Sequence, residues 1–478
     1  MKEKSMERII YNCSTGPHYT EILHDFVEDH PLEFVLNITI DLLMQSRKRG
    51  VVFQNVHFWD AMQGIYDPPG SVLSPKLLND LSPYLLTTLK MMDRLPYGKT
   101  YRFDDRVELY FRQVKYWSYI LDEHKIDCYI SIGLPHEVFD YVIYCLCKIK
   151  GIKVVFLMVT QIPGYQLVID DIEKQEIRLL DPSKDNLLQN SLSPFMERYV
   201  AQLTTQYKPP FYFEIGKKKI DARLTFLARF KNAVKVTWKH LLEAKKYFSY
   251  TLKDWSLPLY FYARCSTSAE VKLNKFYNSI ATLPDYSKKY IFVPLHYQPE
   301  CTTSPQGGVF VFQEIMIEML LNALPEGVLL YVKEHPAQTI AGRTEDFYKK
   351  FISNPKIVWI KKEVPSIDLI KNALTVATIT GTAAWEALFQ GKRVMVFGKV
   401  FFQYAPGVFR IPELSECREA IKEIMQSNEK VDINALRNFL ARFEQNAIRA
   451  WVDPGYREVS EIGDEENLRN IREAFKKI

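Results

Sequence analysis

The sequence predicts an α/β protein with two domains, each a parallel sheet with helices on its faces. Three observations predict it. The chain has 478 residues, more than one ordinary core holds and enough for two or three domains. Short apolar runs alternate with helical patterns in both its N-terminal and C-terminal parts, the rhythm of strand–helix–strand units. Polar stretches follow several of those runs, at the strand ends where open α/β sheets bind ligands.

In the N-terminal part, Ile9-Ile10-Tyr11-Asn12 reads as a first strand. It opens at Ser14-Thr15-Gly16-Pro17-His18 into a helix from about Tyr19. Glu33 to Gln45 carries a helical pattern, and Val51 to Gln54 a short strand. Ile126 to Ile132 is strand-like and is followed by Gly133-Leu134-Pro135-His136-Glu137. A helix from about His136 to Lys150, ended by Gly151, leads to a strand at Val154 to Leu157. Strand, helix and strand in close succession form a βαβ unit and predict a parallel sheet.

The middle is different. Between Ile215 and Lys253 there are eleven Lys/Arg against two Asp/Glu, a local excess of +9. Leu224, Phe226, Leu227, Phe230, Val234, Trp238, Leu241 and Leu242 recur at mixed three- and four-residue spacing. This predicts a basic amphipathic helical connector. Such a helix has one solvated face, or it meets an anionic membrane surface or glycan through 215–253.

From Lys289 the alternation returns. Strands are predicted at Tyr290 to Leu295, Gly327 to Val332, Ile357 to Ile360, Thr375 to Ile379 and Val394 to Phe397. Helices are predicted from about Val309 to Ala323, at Pro365 to Ile370, at Ala383 to Gln390, at 413–427 and at 433–449, with a last charged helix at 464–477. The expected organisation is an N-terminal α/β domain over 1–205, a basic helical connector over 206–285, a C-terminal α/β domain over 286–450 and a helical tail over 451–478.

Composition narrows the class. Apolar content of 47% and charged content of 25% describe a folded soluble chain. A net charge of +5 is small for this length and does not point to nucleic acid. Aromatic content of 13% fits cores first, and sugar-stacking surfaces second. Cys13, Cys128, Cys145, Cys147, Cys265, Cys301 and Cys417 are scattered, without zinc-ligand spacing, as expected of reduced thiols in a cytosolic protein. No signal peptide and no apolar run of membrane-spanning length is seen, so a cytoplasmic location is expected, peripheral to the membrane if the connector touches it.

Three polar loops follow strands of the second sheet. Thr380-Gly381-Thr382-Ala383 joins a strand to a helix. The amides of a helix's first turn lack internal partners and sit at the positive end of its dipole, so small residues there let a phosphate approach. Glu386, one turn on, shares a face with Thr382 and can accept from ribose hydroxyls. Lys333-Glu334-His335-Pro336 places a cation, a carboxylate and an imidazole at a strand end, with Pro336 biasing His335 away from helix. As a cation, His335 would stabilise the charge of a departing nucleotide. His296-Tyr297-Gln298-Pro299-Glu300 is followed by Thr302, Thr303, Ser304, Gln306, Gly307, Gly308 and Gln313, a polar loop able to wrap a base, ribose or sugar. Taken one at a time these are also ordinary caps and loops. On one sheet edge they predict a nucleotide site. In the N-terminal part the polar loop residues are His18, His57, Asp60, His136 and Glu137. His18, His136 and Glu137 are the candidates for the base that deprotonates an acceptor hydroxyl.

The segments Val293 to Glu300, Lys333 to Pro336 and Thr380 to Glu386 resemble the bacterial capsule polysaccharide biosynthesis family, whose relatives include Kdo transferases and, more remotely, sialyl- and polysialyltransferases. The likeness covers roughly residues 289–405, with a fainter match around Gly133 to Leu157. It implies a GT-B glycosyltransferase with two Rossmann-type domains facing a cleft, using a CMP-activated acidic sugar. By that likeness His335 and Pro336 match the family's His-Pro pair, and Thr380 or Thr382 its downstream hydroxyl. A His-Pro pair with a hydroxyl cluster also occurs in polymerases that use CDP-glycerol, and other GT-B families use UDP-sugars. A non-catalytic glycan- or membrane-binding subunit is the reading from another class.

The expected mechanism has amides near Thr382 and Ala383, with the Thr380 and Thr382 hydroxyls, holding the donor phosphate. His335 and Lys333 neutralise the leaving charge, and Glu386 or the Gln298 loop holds ribose and base. A glycan or glycolipid acceptor enters from the N-terminal domain. Attack opposite the leaving nucleotide inverts the anomeric centre. The nucleotide sugar is a substrate, so no cofactor is expected, and no metal, because the sequence has no Asp-x-Asp-like cluster beside the phosphate loops.

Overall fold

Runs of Val, Ile, Leu and Phe too short for helices build two sheets, and the central strands are buried on both faces. The computed structural model of the protein describes residues 7–13, 18–39, 50–64, 72–94, 103–174, 191–205, 267–338, 342–427, 429–452 and 454–476. The basic stretch 215–253 and most of the predicted connector lie outside the described residues.

The first sheet uses β1 (Arg8–Asn12), β2 (Phe34–Thr39), β3 (Val52–His57), β4 (Cys128–Ser131), β5 (Lys153–Val159) and β6 (Tyr165–Ile169). The second uses β7 (Lys289–Pro294), β8 (Val328–Lys333), β9 (Ile357–Ile360), β10 (Thr375–Thr378), β11 (Val394–Val396) and β12 (Val408–Arg410). A last strand, β13 (Ile448–Arg449), returns to the first sheet. The orders are β13-β6-β5-β4-β1-β2-β3 and β12-β11-β10-β7-β8-β9. Pairing is parallel throughout the second sheet. In the first it is parallel from β3 to β5, with β6 and β13 added antiparallel.

Both orders reverse direction once. The reversals fall between β1 and β4 and between β7 and β10, and the crevice beyond such a switch point is where open α/β sheets hold ligands. Asn12 and Ser131 close the first pair of strands, and Pro294 and Thr378 the second.

Three sequence expectations are corrected. Glu33 to Gln45 was expected to be helical, yet Phe34–Thr39 is the buried strand β2. A central parallel strand is apolar on both faces, so Phe34, Val35, Leu36 and Ile38 lack the alternation that marks a half-buried strand. The helix expected from Val309 begins as a 3-10 turn, Gly308–Val311, and becomes α-helical only at Gln313–Ala323. The helix expected over 433–449 ends at Asn446, and Ile448 and Arg449 pair with Gln166 and Tyr165 instead. Two long helices for which the sequence reading drew no element, Pro75–Met91 and Phe103–Glu123, pack against the Val138–Lys150 helix on the first sheet.

The helix Asp464–Phe475 lies against His18–Asp29, with Phe475 and Phe26 edge to face at 6.0 Å. The final segment therefore completes the first sheet's layers. In the other direction, Pro194–Thr204 packs on the second domain: Trp385 Nε1 donates to Tyr199 Oη at 2.9 Å, and Gln390 Nε2 to the Leu203 carbonyl at 2.6 Å. Among the described residues no helix is long and apolar enough to cross a membrane.

Candidate active site

The carboxyl ends of both sheets open on one cleft of about 1180 Å³. Its floor on the second-domain side is the switch point itself. His296 follows β7, and Thr380 and Gly381 follow β10 into the Thr382–Phe389 helix. The Thr380 amide donates to His296 Nε2 at 3.2 Å, and Thr378 Oγ1 lies 2.9 Å from the same nitrogen. The Gly381 amide donates to Thr378 Oγ1 at 3.3 Å. Nε2 thus accepts from an amide that can only donate, which puts the ring proton on Nδ1. Burial, with His335 and Arg343 nearby, lowers the His296 pKa to about 3, so the ring is neutral. It holds the strand-to-helix turn in place.

That turn is tight. A Cβ on Gly381 would stand 2.7 Å from Thr378 Oγ1 and 3.3 Å from His296 Nε2, so only glycine fits without displacement. Thr382 and Ala383 open the helix and line the cleft together with Glu386. The first-turn amides of such a helix form an anion-binding end. The Thr380 hydroxyl, expected to touch the donor, already donates to the Thr302 carbonyl at 2.6 Å.

His335 stands on the next loop. The Ala337 amide donates to His335 Nδ1 at 3.1 Å, which fixes the proton on Nε2. The expectation that this residue is a cation is corrected. Burial, with the positive charges of Lys333, Lys362 and Arg343, holds its pKa at about 4 against the pull of Glu334. At neutral pH it is an uncharged donor through Nε2–H. Lys333 is buried, with Nζ donating to the Val364 carbonyl at 2.5 Å and to Ser366 Oγ at 3.0 Å. Burial lowers its pKa to about 8, with Glu363 and Glu386 opposing, so it carries most of a charge at neutral pH.

The facing wall comes from the first domain: Asn12, Ser131, Gly133, His136, Asp140 and Thr160. His136 is exposed to the cleft, and the crowding of the cleft walls with the Arg94 guanidinium lowers its pKa. Glu137 caps the Val138–Lys150 helix, and Asp140 completes a capping box by accepting from the His136 and Glu137 amides at 2.9 and 3.0 Å. Burial raises Glu137 to about 7 and Asp140 to about 8, each opposed by Arg94. Arg94 joins the walls, donating to the His136 carbonyl, the Ser304 carbonyl and, at 3.0 Å, Ser304 Oγ.

Of the predicted residues, the cleft gathers His296, Glu300, Thr302, Gln306, Lys333, Glu334, His335, Pro336, Thr380, Gly381, Thr382, Ala383, Glu386 and His136. It does not gather Gln298. That amide donates to the Val311 carbonyl at 2.6 Å and accepts from Arg343, so Gln298 supports the loop and does not face a ribose. Thr303 is buried with its hydroxyl on the Glu300 carbonyl, and Gln313 holds the His296 backbone from both sides. Glu334 is fully buried and its carboxylate receives Arg343, Tyr348 and the His335 amide. His57 is buried at the end of β3, and Asp60 sits on the following helix, both off the cleft. His18 begins its helix, but its side chain is outside the described residues. The sequence reading missed Thr378, Arg343 and Asp140. Thr378 sits inside a strand run, and Arg343 follows the His-Pro pair on a loop without periodicity. Asp140 was legible as the fourth residue of a capping box.

Two facing parallel-sheet domains with polar loops from both sheets on the intervening cleft define the GT-B class of glycosyltransferase fold. Residues 214–432 match the family described as capsule polysaccharide biosynthesis protein. The match spans all three loops from which the resemblance was read. A comparison with curated proteins finds no match. Among solved structures, the chain is similar to Thermosulfurimonas dismutans KpsC, described as a β-Kdo 2,7 transferase, at 10% identity over 98% of this chain and 99% of that one, with a TM-score of 0.34. A second structure from that organism, KpsC described as a β-Kdo 2,4 transferase, is 9% identical over 72% and 87%, with a TM-score of 0.30. The UDP-GlcNAc 2-epimerase of Methanocaldococcus jannaschii is 10% identical over 91% and 97%, with a TM-score of 0.26.

Proposed function

We propose that the protein is a glycosyltransferase of capsule or surface polysaccharide synthesis that moves an acidic, CMP-activated sugar of the Kdo or sialic acid type to a glycan or glycolipid acceptor. One observation carries the reading: the loops of His335, His296 and Thr380–Thr382 converge on a single cleft at the second sheet's switch point, facing a first-domain wall that presents His136. The donor phosphate rests on the first-turn amides at Thr382 and Ala383. His335 Nε2–H and the Lys333 charge stabilise it as it leaves, so protein groups carry the charge without a metal. Glu386 accepts from the ribose. His136, whose pKa is lowered by burial within the cleft and by the Arg94 charge, takes the acceptor proton. In-line attack from that wall inverts the anomeric centre, which NMR of the product reads directly.

His335→Ala tests the reading, because it removes a donor aimed at the leaving group while leaving the Thr382 turn intact. Turnover falls about 10²-fold or more. Near-normal turnover in a folded variant removes His335 from the mechanism. Thermal-shift titration with CMP, CDP and UDP identifies the nucleotide, since a ligand that binds only the folded state raises the melting temperature.

A further inference from the structure

We infer that Arg343 is a positioning residue for the donor site, holding the His296 and His335 loops in one register through a fully buried ion pair with Glu334. The assignment rests on the donor-site reading above. Arg343 and Glu334 side chains are 2% and 0% exposed, and Nε donates to Glu334 Oε2 at 2.8 Å. The other two guanidinium nitrogens reach a different loop: NH1 donates to Gln298 Oε1 at 3.2 Å and NH2 to the His296 carbonyl at 3.3 Å. Glu334 answers on its own side. Its Oε1 accepts the His335 amide at 2.7 Å, and Oε2 also accepts Tyr348 Oη at 2.7 Å.

One planar cation therefore ties the loop after β7 to the loop after β8, below the two imidazoles. A lysine ammonium has no rigid fork to span three acceptors on two loops, whereas guanidinium geometry matches them. The ring of Phe347, 4.2 Å from the guanidinium carbon, fixes its plane. Burying such a pair is a poor route to stability, because desolvation offsets the attraction. Fixing geometry accounts better for it. His335 and the turn that His296 holds meet the donor phosphate from different strands, and a misplacement of about 1 Å there costs on the order of 10²-fold in rate.

The experiment compares the full chain with R343K and R343M, each checked for folding by circular dichroism. With CMP-sugar as donor, R343K keeps its donor KM within about threefold and loses kcat by about 10²-fold, the pattern of misplacement. In R343M, with histidines carbon-13 labelled, the His335 midpoint rises from about 4, because a nearby positive charge is gone and Glu334 is left unopposed. A residue that only stabilises the fold would lower the melting temperature and leave kcat of the folded R343K variant in place. A folded R343K with wild-type kcat overturns the assignment. So does an unchanged His335 midpoint in R343M, a result that stands even if the wild-type chain transfers no sugar, which alone would sink the transferase reading.

Discussion

Gly381 shows how one residue can hold a site open. Its neighbours Thr378 and His296 occupy the space a Cβ would need, at 2.7 and 3.3 Å. Gly381→Ala must therefore displace the very groups that hold the helix start. The expected loss is about 1–3 kcal/mol in chemical denaturation, together with weaker nucleotide-induced thermal shift. An alanine variant as stable as the parent and equally responsive to nucleotide contradicts the geometry. The two site histidines carry a second expectation. Their folded pKa values, about 4 for His335 and about 3 for His296, lie below the ordinary 6.5. Between these limits the unfolded chain binds more protons than the folded one. Their contribution is complete above pH 6.5 and is lost as pH falls through 6.5 toward 4 and 3. Urea midpoints of the wild type should drop over that window, and those of His296→Gln should drop less. Parallel pH curves would rule this out.

Elements couple these residues to the core. The Thr382–Phe389 helix turns Thr382 and Glu386 to the cleft, while Trp385 and Phe389 face the interior. Trp385 is 1% exposed, ringed by Phe389, Phe401, Phe402 and Phe439, and bonded to Tyr199 of the crossing helix. Trp385→Ala should destabilise by about 3–5 kcal/mol and loosen the phosphate turn with it, while Trp385→Phe keeps most of the packing. Equal denaturation midpoints for the alanine variant and the parent would refute that coupling. The elements also show what sequence reveals. Strands that end in polar residues, β7, β8 and β10, were legible because apolar runs and hydroxyls or histidines abut there. β2 was not, since burial on both faces erased its alternation. Arg343 was invisible for another reason: a buried arginine on a loop looks like any surface arginine until its partner Glu334 is placed beside it. Phe103–Glu123 did carry a readable stripe in Leu109, Tyr110, Val114, Trp117, Ile120 and Leu121, all buried.

On the scale of the whole molecule, the chain crosses between domains and back. The crossing segments hold the two walls of the cleft to each other. Pro194–Thr204 seats on the second domain, and the residues from Ile448 onward return to the first. The return does three jobs. β13 covers the open edge of β6, and Arg449 lies over the rings of Tyr165 and Phe195 at 4.5 and 4.3 Å. Ile471 and Phe475 bury the apolar face of the His18–Asp29 helix. Val452 and Tyr456 reach the cleft itself. A chain cut after Asn446 therefore loses a wall of the site and exposes both a strand edge and an apolar helix face, the conditions for edge-to-edge aggregation. It should accumulate in the insoluble fraction, and any soluble portion should unfold at a lower temperature. Phe475→Ala separates the two effects, because it keeps β13 in place while opening a cavity against Phe26. It should stay soluble but lose about 3–5 kcal/mol. A truncated chain that remains soluble with the parent's melting temperature would show that the first domain is complete without this return.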